Sequence, residues 1–252
     1  MKVMTFNLRY DNEYDGINAF SKRINRVVDT IRKENADIIG FQEVTDSMRR
    51  TLRAYLTEYT VIGSGRNNDY TGEAMLIAFK TELFELISLD SVWLSETPSV
   101  PGSMYKLDHS HCPRMYTSAF LKPLDNSKPF RFINTHLDHT GELARVQEAE
   151  QLTRDISKYE DKFILTGDFN AEPHTNEIKM ITERLKDKGC IDCTLNVGKT
   201  FHEFGTREIE RQIKIDYIFT NGICKNVYRV EDIPVNGQYY SDHFAICAEI
   251  EL

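Results

Sequence analysis

Short apolar runs with the length of buried strands recur along the whole chain, whereas amphipathic helical patterns lie between them at only two places. Residues 2–6 and 37–41 predict the first two strands, and apolar residues recur at helical spacing over 24–31. A second helix follows, with Thr45 at the N-cap position. The chain therefore begins in the order β-α-β-α.

The pattern changes after this region. Residues 59–94 alternate short apolar runs with turn residues, which predicts a meander of antiparallel strands. Residues 95–113 contain three prolines and show little periodicity, so they predict a long loop, and we expect a lid that faces the substrate. Further strands are predicted at 114–121, 130–136, 162–166, 213–219, 227–230 and 245–250, with a helix after Gly141 and a loop-rich stretch before residue 213.

Mixed strands with helices at two separate places predict an α/β fold in which packed sheets are covered on the outside by helices. No linker, repeat or low-complexity stretch divides the sequence, so we expect one domain over residues 1–252. No apolar run approaches the roughly 20 residues of a membrane span, and the first residues do not suit a signal peptide. These features predict a cytoplasmic protein with no transmembrane segment and no obligate protein partner.

The five cysteines are scattered and odd in number, which predicts reduced thiols rather than a disulfide framework. Cys190 and Cys193 have the spacing of a zinc or redox pair. No second pair and no histidine at ligand distance accompany them, so a functional site there is not expected.

The net charge is −8 and the isoelectric point about 5.4. Binding to duplex DNA depends on lysine and arginine displacing counterions, so this acidity disfavours a non-specific DNA-binding protein. The net charge becomes −4 when four carboxylates of the candidate site described next are set aside. Acidity therefore lowers the expectation of a nucleic-acid substrate without excluding it.

Polar side chains stand where several of the buried strands end, and α/β folds usually assemble their sites at such places. Carboxylate and amide oxygens are ligands that suit Mg²⁺ or Mn²⁺, and histidine transfers protons near neutral pH. The chemistry of the set predicts a centre for a metal ion and a phosphate. These residues are Asn7, Gln42, Glu43, the run 134–139, Asp168, Asn170, Asp216, Asp242 and His243.

Most of these residues also have an ordinary structural interpretation. Asn7 suits a turn, Glu43 suits the first turn of a helix, and Asp168 and Asn170 follow a glycine in a composition typical of turns. Asp216 differs from them, because a lone carboxylate inside a buried strand is costly unless it is paired or bound to metal. The sequence therefore predicts a partner for Asp216.

Six short motifs, taken in their order along the chain, resemble the signatures of the endonuclease/exonuclease/phosphatase superfamily, which has a deoxyribonuclease-I-like fold. They span nearly the whole sequence. The resemblance implies a four-layer α/β/β/α sandwich of two mixed sheets flanked by helices, with the site at one end of the sheets. The motifs are Phe6-Asn7, Gln42-Glu43, Asn134-Thr135-His136, Gly167-Asp168-Phe169-Asn170, Asp216-Tyr217-Ile218-Phe219 and Ser241-Asp242-His243.

Carried over to this chain, the resemblance implies a Mg²⁺ cofactor, with Mn²⁺ as the alternative. Glu43 would be the principal metal ligand, and Asn7 and Asp242 would complete the shell directly or through water. Arg114 is expected to clamp the phosphate, although an arginine on a surface strand is as good an interpretation of it. Arg9 is not part of the family's pattern, and it is expected to aid phosphate binding instead.

The implied catalytic residues are His136, Asp168, Asn170, Asp216 and His243. Asp168 and Asn170 would hold the attacking water, and Asp216 would orient His243 toward the phosphate oxygens. His136 would contact the phosphate in the transition state. Whether Asp168 or the Asp216–His243 pair is the general base stays open.

Two departures bear on the substrate. His136 stands where the DNA-repair branch often has tyrosine, so the chain is more similar to the deadenylase and neutral sphingomyelinase branches. Arg9 stands where the repair branch commonly has an acid, which makes cleavage at apurinic sites doubtful.

The resulting expectation is a metal-dependent hydrolase of phosphate esters, foremost a phosphodiesterase with nuclease-like chemistry whose substrates include single-stranded nucleic acid. The alternative is a phosphomonoesterase or a phospholipase-C-type enzyme on a lipid or sugar phosphate. A catalytically silent binding module is the least favoured interpretation, because no expected catalytic position is replaced.

Overall fold

Two six-stranded β-sheets pack face to face in the computed structural model of the protein, which describes residues 1–252. Each sheet is mixed, because one central pair of strands is parallel and the other pairs are antiparallel. The predicted α/β sandwich of two mixed sheets flanked by helices is confirmed. No helix has the length and apolar character that a membrane span requires.

The first sheet has the strand order β11-β12-β1-β2-β4-β3. Its strands are β1 (Lys2–Asn7), β2 (Ile38–Val44), β3 (Tyr59–Ile62), β4 (Ala74–Lys80), β11 (Ile223–Arg229) and β12 (Ile246–Glu251). The second sheet has the order β5-β6-β7-β8-β10-β9. Its strands are β5 (Phe84–Trp93), β6 (Met115–Pro123), β7 (Phe130–His136), β8 (Lys162–Asp168), β9 (Ile191–Asp192) and β10 (Asp216–Thr220).

Four α-helices form the outer layers: α1 (Phe20–Glu34), α2 (Asp46–Tyr55), α3 (Glu142–Ser157) and α4 (Asn176–Arg184). Apolar faces of α1 and α2 pack on the first sheet, and those of α3 and α4 pack on the second. A third apolar cluster fills the space between the sheets. Three cores between four layers account for the sandwich.

The strands alternate between these cores. In β1, Val3 belongs to the core between the sheets, whereas Met4 and Phe6 belong to the core beneath the helices. Because side chains of a strand point to opposite faces in turn, Asn7 faces the other sheet. Asp168 follows Ile164 in β8 by the same alternation, so both polar residues point into the end of the space between the sheets.

The close approach of the two sheets depends on Gly40 and Asn134. The Asn134 amide in β7 donates to the carbonyl oxygens of Phe41 and Leu76 in the other sheet, at 2.8 and 2.9 Å. A Cβ atom on Gly40 would lie 2.3 Å from the Oγ1 atom of Thr166 and 2.7 Å from the Oδ1 atom of Asn134. Any larger residue at this crossing, directly below the polar ends of the strands, would therefore have to displace these side chains.

Two features differ from the prediction. The expected meander over 59–94 is divided: β3 and β4 pair in the first sheet, but β5 crosses to the second sheet and pairs with β6. The stretch before residue 213, expected to be rich in loops, contains the helix α4. Its only buried apolar residues are Ile178 and Ile181, which gave too short a helical pattern to identify.

Candidate active site

The polar residues predicted at the strand ends converge at one end of the sandwich. Residues that are far apart in the sequence come together because β1 and β2 run parallel in one sheet and β7 and β8 run parallel in the other. Their carboxyl ends therefore lie at the same end of the molecule. In β7 and β8, His136 is paired in register with Asp168.

Glu43 reaches the site through a β-bulge in β2. Phe41 pairs with Leu76 and Val44 pairs with Ala74, so β2 contains one more residue than β4 over this stretch. Phe41 and Val44 both pack beneath the helices, and Glu43 between them has a left-handed φ of 61°. Regular alternation would aim Glu43 at the helices, and the bulge turns it toward the site instead.

The interpretation of Glu43 as an acid in the first turn of a helix is wrong, and its strand geometry is irregular. Glu43 lies in a strand, and its Oε1 atom accepts a hydrogen bond from the Asn7 amide at 3.0 Å. Its Oε2 atom accepts from the Tyr10 backbone N–H at 3.1 Å. The same Asn7 amide donates to Oδ2 of Asp168 at 2.9 Å, so Asn7 connects carboxylates from the two sheets.

Asp216 has the partner that its burial requires. It is the first residue of β10, opposite Asp168 in the antiparallel register, and its Oδ2 atom lies 2.9 Å from Nδ1 of His243. The Nε2 atom of His243 lies 3.7 Å from Oδ2 of Asp168. The imidazole ring thus stands between two buried carboxylates.

Asn170 and His136 form the other side of the site. The Asn170 backbone N–H donates to Oδ1 of Asp168 at 2.9 Å, and its backbone has a left-handed φ of 48°. The Asn170 amide donates to the Leu137 carbonyl oxygen at 3.0 Å and lies 2.9 Å from Nε2 of His136. That ring nitrogen is also 3.6 Å from Oδ2 of Asp168, so three predicted residues share one contact region.

Asp242, which is buried, lies next to the partly exposed Arg9. The Asp242 carboxylate is 3.9 Å from the Arg9 guanidinium group and lies 3.3 Å from the Ser241 hydroxyl oxygen. Arg9 itself donates to both oxygens of Asp15, at 3.0 and 3.3 Å. The positive charge of Arg9 is therefore largely paired within the protein.

The charges of the site shift its proton affinities in opposite directions. Burial, reinforced by the negative charge of Asp216, raises the pKa of Asp168 to about 7. Burial alone would lower the pKa of His243, but the carboxylates of Asp216 and Asp168 raise it to about 10. Near neutral pH, His243 is consequently a proton donor beside a carboxylate that readily accepts a proton.

Glu43 stays ionised by contrast. Burial alone would raise its pKa, but the charge of His243 and the N–H donors of Asn7 and Tyr10 outweigh burial and lower it. Burial, with the nearby charge of Glu43, raises the pKa of Asp242. The carboxylates of the site therefore differ in proton affinity, and Glu43 is the one most readily kept ionised.

Glu43, Asp168 and His243 form a group that could hold a metal ion, with potential ligand atoms all within 4.8 Å of one another. Its carboxylate oxygens, with those of nearby Asp242, suit a hard divalent cation. Because His243 is bonded to Asp216 and carries a proton, it fits a donor to an anion better than a ligand. Asn7 turns its amide nitrogen to the carboxylates, so it would become a ligand only after its amide rotated.

Arg114 is buried, with only 3% of its surface exposed, so its interpretation as a surface strand residue is wrong. Its Nη2 atom lies 2.8 Å from Nδ1 of His139. Arg66, which no sequence pattern singled out, is similarly buried at 8% and donates to Glu73 at 2.9 Å. Burial lowers the pKa of His136, and the positive charges of Arg114 and Arg66 lower it further.

Arg23 and Ser241 position the backbone of the site. Arg23 is fully buried and donates to the carbonyl oxygens of Leu8 and Tyr240, both at 2.5 Å. The Ser241 hydroxyl donates to the Asn7 carbonyl oxygen at 2.7 Å. An arginine placed among the apolar residues of a helix pattern was the only sequence signal for Arg23.

Comparison with known proteins gives concordant results. The family model described as "Endonuclease/Exonuclease/phosphatase family" matches residues 4–243. A solved endonuclease/exonuclease/phosphatase from Bacteroides vulgatus is 34% identical, with a TM-score of 0.92, over 100% of this chain and 98% of that chain. A functionally unknown conserved protein from Enterococcus faecalis V583 is 29% identical, with a TM-score of 0.88, over 100% and 99%.

A third structure, named mannosyl-6-phosphatase Bt3783 from Bacteroides thetaiotaomicron, is 24% identical, with a TM-score of 0.89, over the full length of both chains. At this identity the likeness concerns the fold. The match of the family model over most of the chain, together with the convergence of the six motifs at one end of the sandwich, leads to one conclusion. This chain belongs to the endonuclease/exonuclease/phosphatase family.

Proposed function

We propose that this chain hydrolyses phosphate esters in a reaction that depends on a divalent cation, Mg²⁺ or alternatively Mn²⁺. One observation carries the proposal: two carboxylates, Glu43 and Asp168, and the imidazole of His243 come from three separate chain segments and lie with their polar atoms within 4.8 Å of one another, where a cation and a phosphate would meet. A structural role does not account for so many ionisable groups buried together, because burying charge is costly unless it serves binding or catalysis.

The cation would be held by Glu43, with Asp242 and Asn7 completing its shell. When bound, it would neutralise the charge that develops on the phosphoryl oxygens. The lowered pKa of Glu43 supports its role, since an ionised carboxylate is the form that binds a cation.

Asp168 and Asn170 would orient the attacking water, and the raised pKa of Asp168, about 7, suits a group that accepts a proton. Protonated His243, fixed by Asp216 at 2.9 Å, would donate a hydrogen bond to a phosphate oxygen. His136 would contact the phosphate from the side of Asn170. These charges favour Asp168 over the Asp216–His243 pair as the general base.

The substrate class has two candidates. A phosphodiesterase with nuclease-like chemistry, acting on single-stranded nucleic acid or a smaller diester, is the form that the motifs favour. A phosphomonoesterase is favoured by the two buried arginines beside the site and by the net charge of −8, which opposes a polyanionic substrate. A protein of the same fold that is named a mannosyl-6-phosphatase accords with the second candidate.

The test is a hydrolysis panel with Mg²⁺ and with a chelator, using single-stranded RNA and DNA, sphingomyelin, a sugar phosphate and small mono- and diesters. We expect Glu43→Gln and His243→Asn to lower turnover at least about 100-fold while the fold is retained. Glu82→Gln, at an exposed position, is the matched control. Full turnover in both site variants would refute the proposal.

A further inference from the structure

Two buried arginines beside the site keep guanidinium N–H groups that no protein atom accepts. The Nε and Nη1 atoms of Arg114 and the Nη1 atom of Arg66 are buried without a hydrogen-bond partner. Burying an ionised donor without an acceptor is costly. A ligand that supplies the missing acceptors would explain why the fold retains them.

The neighbours of these arginines do not use up their donors. Asp138 lies 3.8 Å from Nε of Arg114, but its carboxylate already accepts hydrogen bonds from Ser110, Thr140 and Gly141. The Nδ1 atom of His139 accepts a hydrogen bond from Nη2 of Arg114 but not from the other two nitrogens of that guanidinium group. The guanidinium group of Arg114 is therefore held in place with two nitrogens unused.

Strand register places both arginines next to the reacting groups. Arg114 directly precedes β6, which lies beside β7 and its last residue His136. Arg66 donates to Glu73, the residue before Ala74, and Ala74 pairs with Val44 next to Glu43. Both guanidinium groups are near enough to the centre for their charges to act on His136.

We propose that Arg66 and Arg114 form an anion subsite for the dianionic phosphate of a phosphomonoester, so that this chain prefers monoesters to diesters. The inference rests on the proposed function. A monoester phosphate presents three non-bridging oxygens and nearly two negative charges, whereas a diester presents two oxygens and one charge. Planar guanidinium groups match phosphate oxygens, and the unused N–H groups of the two arginines can donate to several of them at once.

The kinetic test compares kcat/KM for p-nitrophenyl phosphate and bis-p-nitrophenyl phosphate in the presence of Mg²⁺. We expect Arg66→Met and Arg114→Met to lower the monoester-to-diester ratio on the order of 100-fold. Arg114→Lys keeps the charge without the planar fork and should lower it less. Arg184→Met, which breaks an exposed ion pair with Glu150, is the matched control.

An unchanged ratio in correctly folded Arg66→Met and Arg114→Lys overturns the inference, as does a wild-type enzyme that hydrolyses only the diester. The second outcome leaves the proposed function standing.

Binding of inorganic phosphate, measured by calorimetry without metal, separates the two proposals. We expect binding by the wild type and by Arg184→Met, and at least about tenfold weaker binding by Arg66→Met, because that variant removes one guanidinium partner of the anion. Such a loss supports the subsite even if no ester is hydrolysed and the proposed function fails. Equal phosphate binding in all variants overturns the subsite.

Discussion

At the scale of single residues, the candidate site depends on charged side chains whose electrostatic interactions are strong because the side chains are buried. Asp168 and Asp216 face each other across two paired strands, and His243 approaches both of them, at 3.7 and 2.9 Å. Removing any one of the three leaves the others with an unbalanced buried charge. The roles of these residues are therefore best separated by substitutions that preserve shape.

Asp216→Asn tests the orientation of His243. The amide keeps the size of the side chain but removes the negative charge that holds the imidazole through Nδ1. We expect kcat/KM for phosphate esters to fall on the order of 100-fold or more, because the ring loses its fixed orientation. Asp125→Asn, in an exposed turn, is the control. Unchanged kcat/KM in Asp216→Asn would contradict the assigned role.

Glu148, a buried residue of α3, gives a stability prediction that depends on pH. Burial raises its pKa to about 8, above the ordinary value of 4.5, so the folded protein binds a proton that the unfolded chain releases between these values. This stabilising contribution is complete below about pH 4.5 and is lost as the pH rises through 8. The unfolding free energy should fall by up to about 1.4 kcal/mol per pH unit in this window.

Glu148→Gln should remove this dependence, because glutamine is neutral at every pH and its side-chain oxygen can still accept from the Asp138 N–H. Urea unfolding at pH 5, 6.5 and 8 measures the difference. Glu142→Gln, exposed on the same helix, should follow the wild type. Parallel curves for Glu148→Gln and the wild type would show that Glu148 is already ionised in the fold.

At the scale of elements, the contact between β2 and β8 decides how closely the sheets approach. Gly40→Ala would bring a Cβ atom within 2.3 Å of Oγ1 of Thr166. We expect a loss of about 1–3 kcal/mol in unfolding free energy, as for overpacked cores, seen as a lower urea midpoint at unchanged m-value. The loss should shrink in a Thr166→Ala background, and equal losses in both backgrounds would argue against this contact.

The bulge in β2 is the element that completes the site. Without its extra residue, the alternation of β2 would send Glu43 beneath the helices with Phe41 and Val44. The loop after β8 has a comparable part, because Asn170, two residues beyond the strand, adopts a left-handed backbone. Strain at these two positions lies next to the candidate chemistry, as is common at functional sites.

For the whole molecule, cation binding should be visible as stability. The site gathers the carboxylates of Glu43, Asp168 and Asp242, and a bound divalent cation relieves their repulsion only in the folded state. A Mg²⁺ concentration ten times the Kd should stabilise the fold by about 1.4 kcal/mol and raise Tm by about 3–6 °C. Glu43→Gln should lose this shift and Glu82→Gln should keep it. An equal shift in Glu43→Gln would place the cation elsewhere.

The sequence by itself determined most of the architecture. Strands β1, β2, β7, β8 and β12 were predicted from apolar runs, because a buried strand must be apolar over its length. The burial of Asp216 and its need for a partner followed from the cost of a lone carboxylate in a strand. The six motifs indicated the family correctly from local residues alone.

Only the tertiary structure decided how these parts meet. The crossing of β5 to the second sheet, the helix α4, the aim of Glu43 and the buried position of Arg66 and Arg114 depend on contacts between distant segments. A local pattern of apolar and polar residues records which face of an element is buried, but not what covers that face. For that reason the residues of the site could be listed from the sequence, whereas their distances and charges could not.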